Sequence, residues 1–329
     1  MAMPILQKNT MRKKVLSLLA VSVLAIGMLA GCGNSSNKTE DNNVGSADTI
    51  TITDAKGEVE IPTNPERIVD LSGNSDMLSV LGYSVVGTAN SDAYDYTKFP
   101  SYLEDVLTGA KILGYSMQDT MDIEGILELD PDLIIISSVQ EKMYDQLKEI
   151  APTVMVQLAQ TNWRDDIETF AKLFNKEDVA SKWLEDYDAQ AKEVGQRIKK
   201  QYGEDTTYLA MLASGGQLYV FDAAGIGSIL YEDMGLQKPQ NMPEQEDISL
   251  PVISYEGLAD IDADYMFVVG TKEDLDALHE SSIYQGMRAV KDGNVIELPS
   301  SPYFNMGYSC IGRQVFLGEV EYMMESRNE

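Results

Sequence analysis

Residue types that could do covalent chemistry are sparse in this chain of 329 residues. The single histidine, His279, lies in a charged stretch with helical spacing, which is typical of a solvated surface residue. The sequence contains no recognisable serine–histidine pair, phosphate-binding loop or cysteine-rich metal spacing. Tyrosines and methionines, by contrast, gather in the segments between predicted strands and helices. Because a tyrosine offers a large stiff ring and one polar tip, these residues favour noncovalent binding of a bulky, partly apolar small molecule.

The candidate binding residues lie in segments that follow successive strand-like runs. In a parallel sheet these segments meet at one edge, outside the carboxyl ends of the strands, where ligands bind in such folds. The segments are Leu71–Asn74, Asn90–Tyr96, Gly114–Gln118, Ser137–Gln140 and Gln160–Arg164, then Ser214–Gly216, Phe221–Gly227, the loop before Glu256, and Ser300–Tyr308. The side chains that we select from them are Asn90, Tyr94, Tyr115, Met117, Ser138, Tyr219, Tyr303 and Tyr308.

The elements that must position these residues are alternating strands and helices, which predict an α/β fold with mostly parallel sheets flanked by helices. A hairpin is predicted over residues 49–61, turning at Asp54–Gly57. Further strands are predicted at Arg67–Ser72, Val85–Asn90, Lys111–Gly114, Leu133–Ser137, Thr153–Leu158, Thr207–Ser214, Gln217–Asp222, Tyr265–Gly270 and Val295–Ser300.

A helical interval separates the two groups of strands. Its spacing predicts one helix over Trp163–Phe174 and a second, capped by Asn175, that runs to about Gln201. The second helix is long and its apolar stripe is narrow, so it most simply bridges two lobes. We therefore expect an N-terminal α/β lobe over residues 48–160, a helical segment with the bridging helix over 161–202, and a C-terminal α/β lobe over 203–329.

One stretch of the chain occurs twice, and each copy presents a glutamate at an equivalent position. Residues 123–136 and 255–268 align so that Glu124 matches Glu256, Gly125 matches Gly257, Asp130 matches Asp262 and Asp132 matches Asp264. In each copy a short helix gives way to a turn and then to a strand too apolar to be exposed. The repeat predicts two lobes of similar architecture.

The N-terminus has the order of a secretion signal. A charged region at Arg12–Lys14 precedes an apolar run at Val15–Met28 and the segment Leu29–Cys32, which resembles the bacterial lipobox. The apolar run is shorter than the roughly 20 residues of a transmembrane helix. We therefore expect a lipoprotein signal peptide over residues 1–31, lipidation of Cys32, and a flexible, lipid-anchored tether over residues 32–47.

Acidic residues dominate the charge of the chain. Residues 1–31 hold four of the 25 basic residues and none of the 53 acidic ones, so the remaining chain carries a formal net charge of −32. Such a surface disfavours nucleic acid and anionic lipid head groups, which leaves the lipid anchor as the expected membrane contact. With Cys32 lipidated, Cys310 has no disulfide partner, and we interpret it as a small, half-buried apolar residue.

Taken together, these features resemble the ABC-transporter substrate-binding lipoproteins for ferric siderophores and cobalamin. The resemblance rests on the lipobox, the motif Asp122-Ile-Glu-Gly-Ile-Leu-Glu-Leu-Asp-Pro-Asp-Leu-Ile-Ile, the bridging helix and the second copy of the motif. It implies a monomer on the extracytoplasmic face of the cell membrane, without catalytic residues or a cofactor or metal site of its own. Such a protein holds a small-molecule metal complex between its lobes and delivers it to a permease dimer with a separate ATPase. The resemblance also implies that Glu124 and Glu256 dock into arginines of that permease.

Departures from the family pattern bear on the ligand. Relatives that bind ferric catecholates place one arginine just after the strand Leu133–Ser137, where this chain has Val139. They place another in the loop corresponding to Phe221–Gly227, which contains no base here. Only Arg164 is a plausible basic contact from the first lobe. We therefore expect an iron–siderophore complex of the hydroxamate type rather than the catecholate type.

Other functions stay open on the sequence. Cobalamin would also suit a pocket poor in bases. Haem is a further alternative, because Met117 lies in a loop suited to a haem ligand, although His279 is poorly placed to join it. A metal-dependent cell-surface hydrolase is disfavoured by the near absence of histidine. A surface adhesin is a third alternative, for which we would expect an exposed adhesive patch and no defined cleft.

Overall fold

The computed structural model of the chain describes residues 48–158 and 162–326. The predicted signal peptide, Cys32 and the tether lie outside these residues, as do residues 159–161 of the loop before Arg164. No helix within the described ranges is both long and apolar enough to cross a membrane.

The first lobe opens with the predicted hairpin and continues into a fully parallel sheet. The hairpin pairs β1 (Thr49–Asp54) with β2 (Gly57–Pro62). The sheet has the order β5-β4-β3-β6-β7 and consists of β3 (Ile68–Asp70), β4 (Val85–Asn90), β5 (Lys111–Tyr115), β6 (Leu133–Ser137) and β7 (Thr153–Val156). The accompanying helices are α1 (Ser75–Val80), α2 (Ile123–Glu128), α3 (Tyr144–Leu147) and α4 (Trp163–Leu173), with a 3₁₀ segment at Ser138–Met143. Every residue of β6 is buried, as expected for an interior parallel strand covered on both faces.

The second lobe has a mixed sheet of the order β10-β9-β8-β11-β12. Its strands are β8 (Tyr208–Ser214), β9 (Gln217–Val220), β10 (Val252–Ile253), β11 (Tyr265–Gly270) and β12 (Val295–Pro299). Strand β9 runs antiparallel to both neighbours. It pairs with β8 in this way because the two are joined by a tight turn at Gly215 (φ 58°) and Gly216 (φ 77°), a backbone that glycine adopts freely. The predicted fold class, two α/β lobes with mostly parallel sheets, is confirmed.

A single long helix, α5 (Glu177–Tyr202), connects the lobes. Asn175 does not cap it as predicted: its φ of 52° ends α4, and the backbone N–H of Lys176 donates to the carbonyl of Ala171 in a C-terminal capping turn. The buried face of α5 includes Tyr187, Val194 and Ile198, which belong to an apolar cluster containing residues of both lobes.

The remaining helices belong to the second lobe. They are α6 (Gly225–Ser228), which continues as a π-helical turn at Ile229–Asp233, α7 (Tyr255–Ala259), α8 (Lys272–His279), α9 (Ser282–Gly286), α10 (Arg288–Lys291), α11 (Ser300–Met306) and α12 (Cys310–Ser326). Helix α12 returns to pack against both α5 and α1, and its buried residues extend the same apolar cluster. The lobes therefore share one continuous core.

The sequence repeat is also a structural repeat. The Asp122 carboxylate accepts a hydrogen bond from the Gly125 N–H at the start of α2, and the Ser254 hydroxyl accepts one from the Gly257 N–H at the start of α7. In both copies the glutamate follows one residue into the helix and is exposed. The following strand, β6 or β11, pairs in parallel with the central strand of its own sheet.

Close packing of the bridging helix on the second lobe makes Gly195 sensitive to substitution. A Cβ at Gly195 would lie 2.0 Å from the carbonyl oxygen of Met234, whereas a Cβ at Gly318 in α12 has nothing within 4 Å. We expect Gly195→Ala to lower the free energy of unfolding by about 1–3 kcal/mol through overpacking. Gly318→Ala should be neutral or raise that free energy by up to about 1 kcal/mol. Chemical denaturation of both variants checks this, and equal effects would contradict it.

Candidate functional site

Loops from both lobes line one cleft of about 590 Å³, within the usual range for small-molecule sites. Every strand of the first sheet contributes lining residues at or just after its carboxyl end. These residues are Ser72, Gly73 and Asn74 at β3, Ser91 and Ala93 at β4, Tyr115, Ser116 and Met117 at β5, Ser137 and Val139 at β6, and Leu158 at β7. The second lobe contributes the segments 223–225, 245–248, 304–305 and 307–309. The cleft thus lies where the carboxyl ends of parallel strands predict it.

Three of the predicted binding residues, Tyr115, Met117 and Tyr308, line this cleft. Tyr115 stacks on the exposed ring of Tyr96, with ring centroids 5.6 Å apart, and Met117 is 59 % exposed. Burial raises the pKa of Tyr308 to about 12, and nearby Arg313 partly opposes this shift. These residues offer neutral, mostly apolar surface to a ligand.

Five other predicted residues do not line the cleft. Four of them form hydrogen bonds with other protein groups, and the fifth is exposed to solvent. The Asn90 amide donates to the carbonyl of Lys98 at 2.6 Å and so shapes the loop after β4. Tyr94 donates across the lobes to the Ser214 hydroxyl at 3.1 Å. Tyr219 donates to the Gln217 side chain and Tyr303 to the Glu319 carboxylate, whereas Ser138 is exposed.

Arg164 also lies away from the cleft, because two carboxylates hold its guanidinium. It donates to Asp188 at 2.5 Å and to Asp233 at 3.0 Å, in a groove between α5 and the π-helical turn. The base that does line the cleft is Arg313, in the first turn of α12. Its place in the first turn of the helix that follows the loop Ser300–Tyr308 is the sequence signal that could have found it.

Arg313 is only 3 % exposed and is held on three sides. Its guanidinium donates to Asp233 and to the Ser228 hydroxyl, each at 2.6 Å, and stacks over the ring of Trp163 at 4.6 Å. Its Nε atom is buried and has no hydrogen-bond partner among the described residues. The cleft wall therefore contains a fixed cation beside an aromatic face.

Hydrogen bonds across the two lobes set the shape of the cleft. Asp76 of α1 accepts from the Ser309 hydroxyl at 2.7 Å and from backbone N–H groups at the start of α12. Burial raises the pKa of Asp76, and these hydrogen bonds oppose the shift. The Ala93 N–H donates to the Asn305 side chain at 2.9 Å, and the Ser301 hydroxyl donates to Asp92 at 2.6 Å.

Buried polar residues behind the first-lobe loops hold those loops in place. Asp70 is fully buried and accepts hydrogen bonds from the backbone and hydroxyl of Ser72, from the Asn74 N–H and from the Ser75 hydroxyl. Gln140 donates to the carbonyl of Ser116 at 2.6 Å. The cleft is thus preformed by the strand ends.

The side chains of His279 and Cys310 are not among the residues that line the cleft. Among the described residues, no group of three or more histidine, cysteine, aspartate or glutamate side chains could hold a metal ion. His279 is on the surface, as predicted, and forms an ion pair with Glu297. Cys310 is fully buried rather than half-buried, and burial raises the pKa of its thiol well above the usual range.

The fold and the cleft define a two-lobed protein that binds a small molecule between its lobes. The chain belongs to the periplasmic binding protein family, whose model matches residues 72–302.

Two similar relatives come from Bacillus subtilis (strain 168). The iron(3+)-hydroxamate-binding protein FhuD is 33% identical over 308 residues, which cover 91% of this chain and 95% of the relative. The probable siderophore-binding lipoprotein YfiY is 32% identical over 302 residues, covering 87% and 91%. Among solved structures, a FhuD fold-family component of a ferrichrome ABC transporter from Bacillus subtilis aligns with a TM-score of 0.70 and 29% identity, over 84% of this chain and 100% of that chain.

Proposed function

We propose that this protein is the extracytoplasmic receptor of an ABC importer and that it captures a ferric siderophore of the hydroxamate type. The observation that carries the proposal is the preformed cleft between the lobes, which is lined by Tyr115, Trp163 and Tyr308 and closed at its buried side by Arg313. Two relatives that are similar over nearly their whole length, YfiY and FhuD, are named as a probable siderophore-binding lipoprotein and an iron(3+)-hydroxamate-binding protein. Their names support this ligand class.

The charges around the cleft favour hydroxamate over catecholate. Among the described residues, four acids line it, Asp76, Asp166, Glu246 and Asp247, against one base, Arg313. Three hydroxamate groups neutralise a ferric ion, whereas three doubly charged catecholates leave a strongly anionic complex. Because like charges repel, a net negative cleft in an acidic protein selects against the catecholate complex.

Delivery would use the two exposed glutamates, and the lipid anchor would keep the receptor at the membrane. Glu124 and Glu256 occupy matching positions in α2 and α7, one in each lobe, as a permease with two-fold symmetry requires. Carboxylate–arginine contacts are directional and set the orientation of docking. We further propose that Cys32 carries the lipid, that the receptor acts as a monomer, and that its permease works with a separate ATPase.

A thermal-shift titration of the domain that follows Cys32 tests the ligand class. The panel contains a ferric hydroxamate, a ferric catecholate, cobalamin and haem, each with a metal-free control where one exists. A ligand that binds only the folded state adds about 2.7 kcal/mol at a hundredfold excess over its Kd. A saturable shift with the ferric hydroxamate alone supports the proposal. A shift with cobalamin or haem alone, or none at all, would overturn the hydroxamate assignment.

We expect Tyr115→Ala to weaken binding of the ferric hydroxamate by about 1–2 kcal/mol, since its ring is part of the cleft wall. Tyr219→Ala is the matched control, because Tyr219 donates to Gln217 and does not line the cleft. Tyr303 contacts Glu319 instead, so Tyr303→Ala should resemble the control. Isothermal titration calorimetry on the three variants measures the Kd values, and equal losses would place the ligand elsewhere.

A further inference from the structure

Two large apolar side chains are exposed at the mouth of the cleft, one from each lobe. Seven such side chains are exposed among the described residues, and Met117 and Ile248 are the two of them that line the cleft. Met117 is 59 % exposed and Ile248 is 55 % exposed. A third, Tyr96, stacks on the cleft residue Tyr115. Exposed apolar surface is therefore concentrated at this mouth, as it is at ligand-binding grooves.

The loop that carries Met117 is held on both sides of that residue. The buried Gln140 side chain donates hydrogen bonds to the carbonyl of Ser116 at 2.6 Å and to the carbonyl of Gln118 at 3.0 Å. These two carbonyls flank Met117 in the chain. The methionine is thus displayed by a backbone that the protein interior fixes in place.

The loop that carries Ile248 is held in the same manner. The Gln245 side chain donates to the carbonyl of Asp247 at 2.9 Å, and the Asp247 carboxylate accepts from the Ser249 N–H at 2.7 Å. The start of the loop is anchored because the buried carboxylate of Asp222 accepts from the Gln245 N–H at 2.9 Å. Both apolar side chains therefore lie on preorganised loops, one on each wall of the cleft.

The buried lining of the same cleft is polar. Trp163 is the one large apolar side chain among the described lining residues that is buried. The buried polar side chains include those of Ser72, Asp76, Ser116, Ser137, Ser309 and Arg313. Apolar side chains ordinarily face the interior and polar ones the water, so this cleft reverses the usual order. A ligand that matches it has a polar part inside and an apolar part at the mouth.

We propose that the cleft selects ferric hydroxamate complexes that carry an aliphatic acyl chain. The chelate lies against the polar buried lining, and the chain runs out between Met117 and Ile248, where both side chains lose contact with water. Glu246 and Asp247, directly before Ile248, are exposed, so the apolar contact is narrow and suits a single chain. This inference rests on the proposed function and adds the apolar part of the ligand to it.

Two neutral probes that differ in chain length test the inference. Both are the same linear ferric trihydroxamate, whose terminal amine carries an acetyl group in one probe and a hexanoyl group in the other. Isothermal titration calorimetry on the whole chain that follows Cys32 gives the Kd of each probe at several temperatures. We expect the hexanoyl probe to bind about tenfold more tightly, because its additional methylene groups leave water. Its heat-capacity change on binding should also be more negative, which marks burial of apolar surface.

Making the mouth polar should abolish the preference. Met117→Gln with Ile248→Gln is expected to lower the affinity ratio of the two probes from about ten to about one. Leu127→Gln with Val252→Gln is the matched control, because these exposed apolar residues, again one in each lobe, do not line the cleft. The control should keep the ratio of the unsubstituted protein.

Equal binding of both probes to the unsubstituted protein overturns the apolar contact while the receptor function stands. A ratio that survives the change at Met117 and Ile248, or that is lost equally in the control, has the same meaning. Failure of both probes to bind overturns the proposed function itself.

Discussion

Replacing Asp233 with alanine is expected to lower the free energy of unfolding by about 3–5 kcal/mol, because the change leaves the buried guanidinium of Arg313 without a counterion. The Asp233 side chain has no exposed surface. It accepts hydrogen bonds from Arg313 and from the Tyr187 hydroxyl, each at 2.6 Å, and from Arg164 at 3.0 Å. One carboxylate thus joins α4, α5, α12 and the π-helical turn behind the cleft.

The matched control for this prediction is Asp188→Ala, which removes the other partner of Arg164. The Asp188 side chain is 55 % exposed, and an exposed ion pair of this kind contributes less than about 1 kcal/mol. Urea denaturation followed by circular dichroism compares the two variants. A loss at Asp233 no larger than the loss at Asp188 would show that Arg313 is not held by this pair.

Removing both exposed glutamates, by Glu124→Ala with Glu256→Ala, is expected to abolish uptake of the ferric complex in cells while leaving the Kd of the purified protein unchanged. Each glutamate lies on a short helix at the surface of its own lobe, and neither lines the cleft. Loss of charge-assisted contacts to a permease therefore blocks delivery and not capture. Uptake of radiolabelled iron and calorimetry on the same variant separate the two steps.

A control with the same change in charge is Glu60→Ala with Glu280→Ala, again one exposed glutamate in each lobe. We expect uptake by this variant to match that of the unsubstituted protein. Lost affinity together with normal docking in the first variant would reverse the assignment of Glu124 and Glu256. Equal loss of uptake in both variants would indicate a general effect of surface charge.

Much of the fold was predictable because buried strands are runs of apolar residues with turn residues at their ends. The strands Val85–Asn90, Leu133–Ser137 and Tyr265–Gly270 occur as predicted, residue for residue. The start of α5 was not predicted correctly. Asn175 is as well suited to end one helix with a positive φ as to cap the start of the next. The choice between these roles depends on packing around α4, which local sequence does not contain.

The site was predictable as a set of loops but not as a set of side chains. The rule that ligands bind at the carboxyl ends of strands located Tyr115, Met117 and Tyr308. It could not show that the Tyr94 hydroxyl donates a hydrogen bond to Ser214, 120 residues away in the chain, or that Arg164 forms an ion pair with Asp233. Such contacts arise only when the lobes come together, and they decide which polar groups remain for a ligand.

The continuous apolar core that joins the lobes through α5 and α12 has a consequence for delivery. Because opening the molecule like a hinge would break that core, we expect the spacing between Glu124 and Glu256 to be the same with and without ligand. The protein then presents its two docking glutamates at a fixed distance, which is set when the chain folds. A permease that senses only this distance cannot distinguish the ligand-free receptor from the ligand-bound one. To recognise the bound ligand, it must therefore contact the open mouth of the cleft.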